Sequence, residues 1–261
     1  MTHNPVRRAL LERRVTLGTW IQIGHPAVAE VLAHAGYDWI AIDMEHTDID
    51  APGFAALARA MHGRDAAPLA RVRENDTLAV RQVLDLGAAG VIVPLVHTAD
   101  DAERAVRAAK YPPRGIRGFS FSRMNEWGAE FDAHAASAND DVAVVVMIES
   151  RRGVENIDAI LDVNGVDGVF IGPYDMSGSY GVPGQTDHPL VADACRAVVE
   201  ACRTHAKAAG IHVVTATEDA LAATVASGYS FIGIGTDTVF LRAAAAGALD
   251  TARASSTRED A

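Results

Sequence analysis

The chain has 261 residues, 49% hydrophobic and 22% charged, enough apolar material to bury one substantial core in a globular protein. Its net charge of −11 argues against nucleic acid or an anionic membrane surface as a partner. No apolar run approaches the roughly 18 residues needed to span a bilayer.

The opening stretch, MTHNPVRRALLERR, carries charges where an export signal needs an apolar segment, so the expected location is the cytoplasm. Beyond it, apolar β-branched runs recur at TLGTWIQI (16–23), DWIAIDME (38–45), APLARV (67–72) and GVIVPLV (90–96). Four more follow at VAVVVMIE (142–149), VDGVFIGP (166–173), IHVVTA (211–216) and FIGIGTD (231–237). Ala- and Leu-rich stretches of helical period separate them, such as PAVAEVLAHAG, TLAVRQVLDLGAAG and DAERAVRAAK. Gly36, Gly87, Gly210 and Gly228 fall where helices should end, and each suits a left-handed cap. Eight strands alternating with helices predict a single (β/α)8 TIM barrel over residues 1–261, with no repeat or linker marking a second domain. An open doubly wound sheet is the rival, but no glycine fingerprint follows the first strand. Residues 111–141 break the rhythm. They read as an extended loop excursion after strand 4, over the barrel mouth, with arginines and aromatics suited to a lid or a subunit contact.

In a barrel the chemistry sits at the C-terminal ends of the strands. Trp20 and Gln22 end strand 1, and Asp43, Glu45 and His46 end strand 2. Arg71 and Arg73 end strand 3, Glu149 ends strand 5, Tyr174 and Asp175 follow strand 6, and Asp237 ends strand 8. Alternation puts Ala41, Asp43 and Glu45 on one face, and Val145, Met147 and Glu149 on one face. With small Ala41 pointing inward, carboxylates from strands 2 and 5 converge at the mouth, and Asp175 joins them. Such a cluster repels itself unless a cation intervenes. Oxygen ligands point to Mg²⁺ or Mn²⁺, with Co²⁺ as a further candidate. Taken singly, each residue has a plainer reading: Asp43, Asp175 and Asp237 as helix caps, His46 as structural. Their convergence favours chemistry.

The two lysines, Lys110 and Lys207, both fall in helical patterns away from strand ends. An imine-forming enzyme needs a lysine inside the pocket, so their placement argues against Schiff-base chemistry. Cys195 and Cys202 lie seven apart in a helical pattern, roughly 10 Å along the axis and too far for a disulfide.

Five segments together resemble the HpcH/HpaI aldolases, metal-dependent class II pyruvate aldolases: LGTWIQIGHPAVAEVLAHAGYDWIAIDMEH, RVRENDTLAVRQVLDLGAAGVIVPLV, YPPRGIRG, MIES and IGPYDMSGSYGVPG. The resemblance covers roughly 5–250. It implies aldol cleavage of a 2-keto-4-hydroxy acid to pyruvate or hydroxypyruvate and an aldehyde. Oxaloacetate decarboxylation or an acyl or keto-acid condensation through the same enolate is the alternative. It implies Glu149 and Asp175 as metal ligands, with Asp43 and Glu45 holding metal-bound water. Arg71 is implied beside the pyruvate oxygen and Trp20 in the pocket wall. Gly172, Pro173, Tyr174 and Asp175 are implied to receive the substrate carboxylate. His46 is implied in proton transfer, paired with Asp85 from a neighbouring subunit of a hexamer built as a trimer of helix-swapped dimers. Two departures stand out. Met147 occupies a position that is often glutamine in the family and cannot donate a hydrogen bond. FSFSRMNEW replaces a more usual Ala-Arg-Ala-type stretch.

Overall fold

A computed structural model describes residues 3–256, and the ends of the domain expected over 1–261 lie outside the described residues. Eight parallel strands close into a barrel in sequence order. They are β1 Thr16–Ile21, β2 Trp39–Asp43, β3 Ala67–Arg71, β4 Gly90–Val93, β5 Ala143–Ile148, β6 Gly168–Ile171, β7 Ala208–Val213 and β8 Phe231–Thr236. The helices are α1 Pro5–Glu12, α2 Pro26–His34, α3 Ala51–Ala60, α4 Thr77–Leu86, α5 Ala99–Ala109 and α6 Phe131–Asp141. They continue as α7 Arg151–Glu155, α8 Ile157–Leu161, α9 Pro173–Ser179, α10 Pro189–Thr204, α11 Glu218–Ala226 and α12 Asp237–Ser256. None of them is long and apolar enough to cross a membrane.

Strand alternation divides the core in two. Outward residues such as Ile40, Ile42, Val144, Val146, Val169 and Ile232 pack under the helices. Inward residues form a separate cluster of Trp39, Leu69, Ile92, Val145, Phe170 and Phe231 inside the barrel. The sequence reading did not foresee α1. Its Val6 and Leu10 enter that inner cluster, and buried Arg7 pairs with Asp167 at 3.0 Å just before β6. The helix therefore plugs the N-terminal end, opposite the mouth.

Two expectations need correction. β7 runs 208–213, three residues earlier than expected, and Gly210 lies inside it rather than capping a helix. A Cβ at Gly210 would lie 2.8 Å from the Phe170 ring and 2.9 Å from the Phe231 ring, so barrel packing requires glycine there. Gly36, Gly87 and Gly228 do have positive φ. The 111–141 segment is not a loop over the mouth. It contains a 3-10 turn at Arg123–Gly128 and all of α6. Its anchors lie at the opposite end: Arg123 reaches Leu86 O, and Asn139 bonds the backbone of Tyr111 beside the start of β5. Parallel strands with antiparallel outer helices bring helix C-termini and strand N-termini to that end, where the free carbonyls attract these donors.

Candidate active site

At the mouth, β2 and β3 pair with Asp43 opposite Arg71. Asp43 is fully buried and its two oxygens are crowded with donors. Arg71 Nε donates at 2.9 Å and Nη2 at 2.7 Å, a two-point ion pair. Gln22 Nε2 donates at 3.2 Å, and the amides of Glu45 and His46 at 3.1 and 3.3 Å. Burial alone would raise the Asp43 carboxyl, but the bonds and charge of Arg71, with Gln22 and the His46 amide, hold it below the ordinary range. The Arg71 guanidinium also stacks on Trp20, 4.8 Å from the ring centroid. The cation is therefore fixed in plane and direction.

Gln22, which the sequence placed at a strand end without a role, belongs to a chain of hydrogen bonds around the rim. Its Oε1 accepts from Thr238 Oγ1 at 2.9 Å, and Thr238 and Thr236 hydroxyls share a bond of 2.9 Å. Asp237, read as a cap, accepts from the amides of Gln22 and Ile23 as well as Thr238. It thus ties β8 to the end of β1.

Glu149 follows β5 on the inward face and is 4% exposed. The amide of Leu95, after β4, donates to its Oε1 at 2.7 Å. Burial raises its carboxyl to about 7 despite that bond, with the charges of Glu45 and Asp175 adding to the rise. Burial also raises Glu45, opposed by Arg71 and reinforced by Asp43 and Asp175. Glu45 Oε2 is buried 3.3 Å from Arg71 Nη1, yet no donor is aligned to hydrogen-bond it. Gly172 begins the turn after β6, where a Cβ would lie 2.8 Å from Glu149 Cβ and 3.0 Å from its Oε2. Only glycine lets that turn pass so close to the carboxylate.

These facts bear on a metal. Among the described residues no three His, Cys, Asp or Glu side chains gather into a ready-made cage. Glu149 and Asp175 offer two carboxylates, and Glu45 a further unsatisfied oxygen. That donor set suits a hard cation that keeps waters and takes its other ligands from substrate.

A cavity of about 470 Å³ opens here, lined by Trp20, Asp43, Arg71, Gly172, Pro173, Tyr174 and Asp175 among the expected residues. Met147 lines it too, as does His212 of β7, a residue the sequence reading missed. A lone histidine in a β-branched run, IHVV, was the available signal. His46 stands at the rim with its side chain 60% exposed and Nε2 3.6 Å from Glu45 Oε2. Asp85 is not in this site. It lies in the last turn of α4, where Arg117 Nη2 pairs with it at 2.7 Å. Both lysines are also remote. Lys110 Nζ donates to Val142 O and Asn139 O, and Lys207 Nζ to Val166 O, all at the N-terminal end. Burial pushes Lys110 down to about 7, in the range of imine-forming lysines, but it is 1% exposed and far from the mouth.

Residues 16–244 match the family described as HpcH/HpaI aldolase/citrate lyase. A 4-hydroxy-2-oxovalerate aldolase of Rhodococcus jostii is 40% identical over 91% of this chain and 92% of its own length. A 5-keto-4-deoxy-D-glucarate aldolase of Shigella dysenteriae is 36% identical over 95% of this chain and 96% of its own. Among solved structures, an HpcH/HpaI aldolase/citrate lyase family protein from Burkholderia cenocepacia superposes with a TM-score of 0.92 at 34% identity. That alignment covers 96% of this chain and 99% of the other.

Proposed function

The chain belongs to the HpcH/HpaI aldolase/citrate lyase family, and from that premise we propose that it is a divalent-metal-dependent aldolase, a carbon–carbon lyase. It reversibly cleaves a 2-keto-4-hydroxy acid to pyruvate, or hydroxypyruvate, and an aldehyde. The observation that carries this is buried Glu149, raised to about 7 among Glu45 and Asp175 at the barrel mouth. Burial beside two other carboxyls favours the protonated form of Glu149, and a cation bound there would take the place of that proton.

Glu149 and Asp175 would hold Mg²⁺ or Mn²⁺, with Co²⁺ as the other candidate, and Asp43 and Glu45 would orient its waters. The ion supplies Lewis acidity that draws charge from the keto carbonyl. Arg71, aimed by Asp43 and braced on Trp20, donates to the same oxygen and stabilises the enolate as charge develops. The turn that begins at Gly172 and Pro173 receives the substrate carboxylate on the amides of Tyr174 and Asp175, since proline has no N–H and Gly172 N already donates to Ile148 O. Trp20 and Phe170, edge-to-face at 5.4 Å, wall the cavity and exclude water from the carbanion. His46, exposed at the rim, takes the hydroxyl proton in cleavage and returns it in condensation.

The assembly belongs to the same proposal: a hexamer built as a trimer of dimers with exchanged C-terminal helices. Supporting it, α12 is exposed from Leu241 onward, and α11 buries none of its residues, so the β7–β8 side of the barrel lacks cover within one chain. Asp85 would reach His46 of a neighbouring subunit and fix its tautomer. A cytoplasmic location completes the proposal.

The test is exchange of pyruvate methyl protons in heavy water. Exchange should stop on chelation and return with Mn²⁺ or Mg²⁺, and borohydride with pyruvate should leave the protein unmodified. Pyruvate trapped covalently on Lys110 or Lys207 would overturn the mechanism.

A further inference from the structure

His212 has no part in the chemistry above, yet it faces the same cavity. It stands two residues beyond Gly210 on β7, its ring centroid 6.1 Å from that of Trp20. Its Nε2 lies 3.0 Å from the carbonyl oxygen of Gly235 on β8. A carbonyl only accepts, so Nε2 carries a proton and donates it. Burial, with the charge of Arg71, holds this imidazole below its ordinary range despite the Gly235 bond. At neutral pH the ring then bears that single proton, and Nδ1 is a lone-pair acceptor. Among the described residues no group donates to Nδ1.

The charges around the cavity narrow what could. Arg71 is the one arginine or lysine in its lining, and its guanidinium already faces Asp43 and Glu45. Of the carboxylates in the same wall, Asp43 is paired with Arg71 and Asp175 is assigned to the cation, which leaves Asp187 uncompensated. A carboxylate at the far end of a substrate would meet Asp187 and an acceptor with no cation left for it. An alkyl end would bury the Nδ1 lone pair unpaired, at the cost of an unmade hydrogen bond. A hydroxyl satisfies both conditions, because it donates to Nδ1 and carries no charge.

We propose that His212 is a specificity-determining residue for the aldehyde half of the substrate, accepting at Nδ1 a hydrogen bond from a hydroxyl of a neutral hydroxyaldehyde. This rests on the aldolase function proposed above and selects among aldehydes for that same site.

The experiment measures kcat/KM for condensation of pyruvate with three aldehydes of similar size: glycolaldehyde, propionaldehyde and glyoxylate. The wild-type protein should favour glycolaldehyde over propionaldehyde by roughly tenfold, the effect of one neutral hydrogen bond, with glyoxylate below both. His212→Leu should bring the glycolaldehyde-to-propionaldehyde ratio to about one or reverse it. His212→Asn, which keeps an oxygen acceptor near the Nδ1 position, should retain part of the preference and stands in if the leucine variant fails to fold. The ratio compares two substrates on one protein, so a general loss of activity cancels. A flat wild-type ratio, a preference for glyoxylate, or an unchanged ratio in His212→Leu overturns the role of His212 and leaves the aldolase proposal standing. Absence of both condensation and pyruvate methyl exchange overturns the two together.

Discussion

Replacing Asp43 with asparagine tests how the site is held together. The Asp43 Oδ1 accepts from Arg71 Nε and from the Glu45 and His46 amides, and an asparagine oxygen can stay there. The new NH₂ then faces Arg71 Nη2 and Gln22 Nε2, two donors. Gln22 can turn its amide over, because the Thr238 hydroxyl on its other side can accept instead of donate. Arg71 Nη2 has no such escape, and the guanidinium keeps its Nε bond to the retained oxygen at position 43 and, as its one carboxylate, Glu45, 3.3 Å away. Breaking a buried pair costs about 3–5 kcal/mol, and the remaining Glu45 contact favours the lower end. At about 2–4 °C per kcal/mol for a domain of this size, the melting temperature should fall by roughly 6–12 °C. Arg71 also loses its aim, and a misplacement near 1 Å costs about 100-fold in rate. Thermal unfolding by circular dichroism and pyruvate methyl exchange by proton NMR read the two effects. The sign with pH follows from the depressed Asp43 carboxyl. Its stabilisation is present above the unfolded value near 4 and is lost as the pH falls through the lower folded value. The gap between wild type and Asp43→Asn should therefore close in acid. A variant melting within 2 °C of wild type at pH 7 and exchanging at the same rate would refute the account of Arg71.

Other consequences are equally concrete. Because Glu149 is raised to about 7, the metal-free protein should lose stability as the pH rises from about 4.5 through 7, by roughly 3 kcal/mol at most. Mn²⁺ affinity should rise about tenfold per pH unit across that window as the ion displaces one proton; calorimetric affinities independent of pH would contradict this. Gly172→Ala sets a Cβ against Glu149, so Mn²⁺ binding followed by electron paramagnetic resonance should weaken at least tenfold, and unchanged affinity would show the turn can yield. Mixing His46→Ala with Asp85→Asn subunits should restore aldol cleavage, because some interfaces regain one intact pair. Mixed hexamers without activity would sink the shared site and leave Asp85 as the surface partner of Arg117.

The sequence alone determined what depends on local period and side-chain inventory. Alternation within DWIAIDME and VAVVVMIE fixed which acids face the barrel interior, and Asp43 and Glu149 are buried there as that pattern requires. Lysine placement argued against an imine because both lysines lie in or beside helical runs, and both end up at the plugged end of the barrel. Tertiary structure decided what depends on closure. Gly210 carries a helix-ending signal in its own neighbourhood, and only the rings of Phe170 and Phe231 from the flanking strands force it into β7. That shift also brings His212 to the inner face. The 111–141 segment has lid-like composition, yet unpaired carbonyls at the helix C-termini draw it to the opposite end, where Arg117 meets Asp85. Local pattern made Arg71 one of two arginines at the end of a strand, and the family resemblance implied its place beside the pyruvate oxygen. Its orientation comes from Asp43 on β2, Gln22 after β1 and Thr238 after β8, a chain of bonds across residues 22 to 238 that exists only once the first and last strands have met.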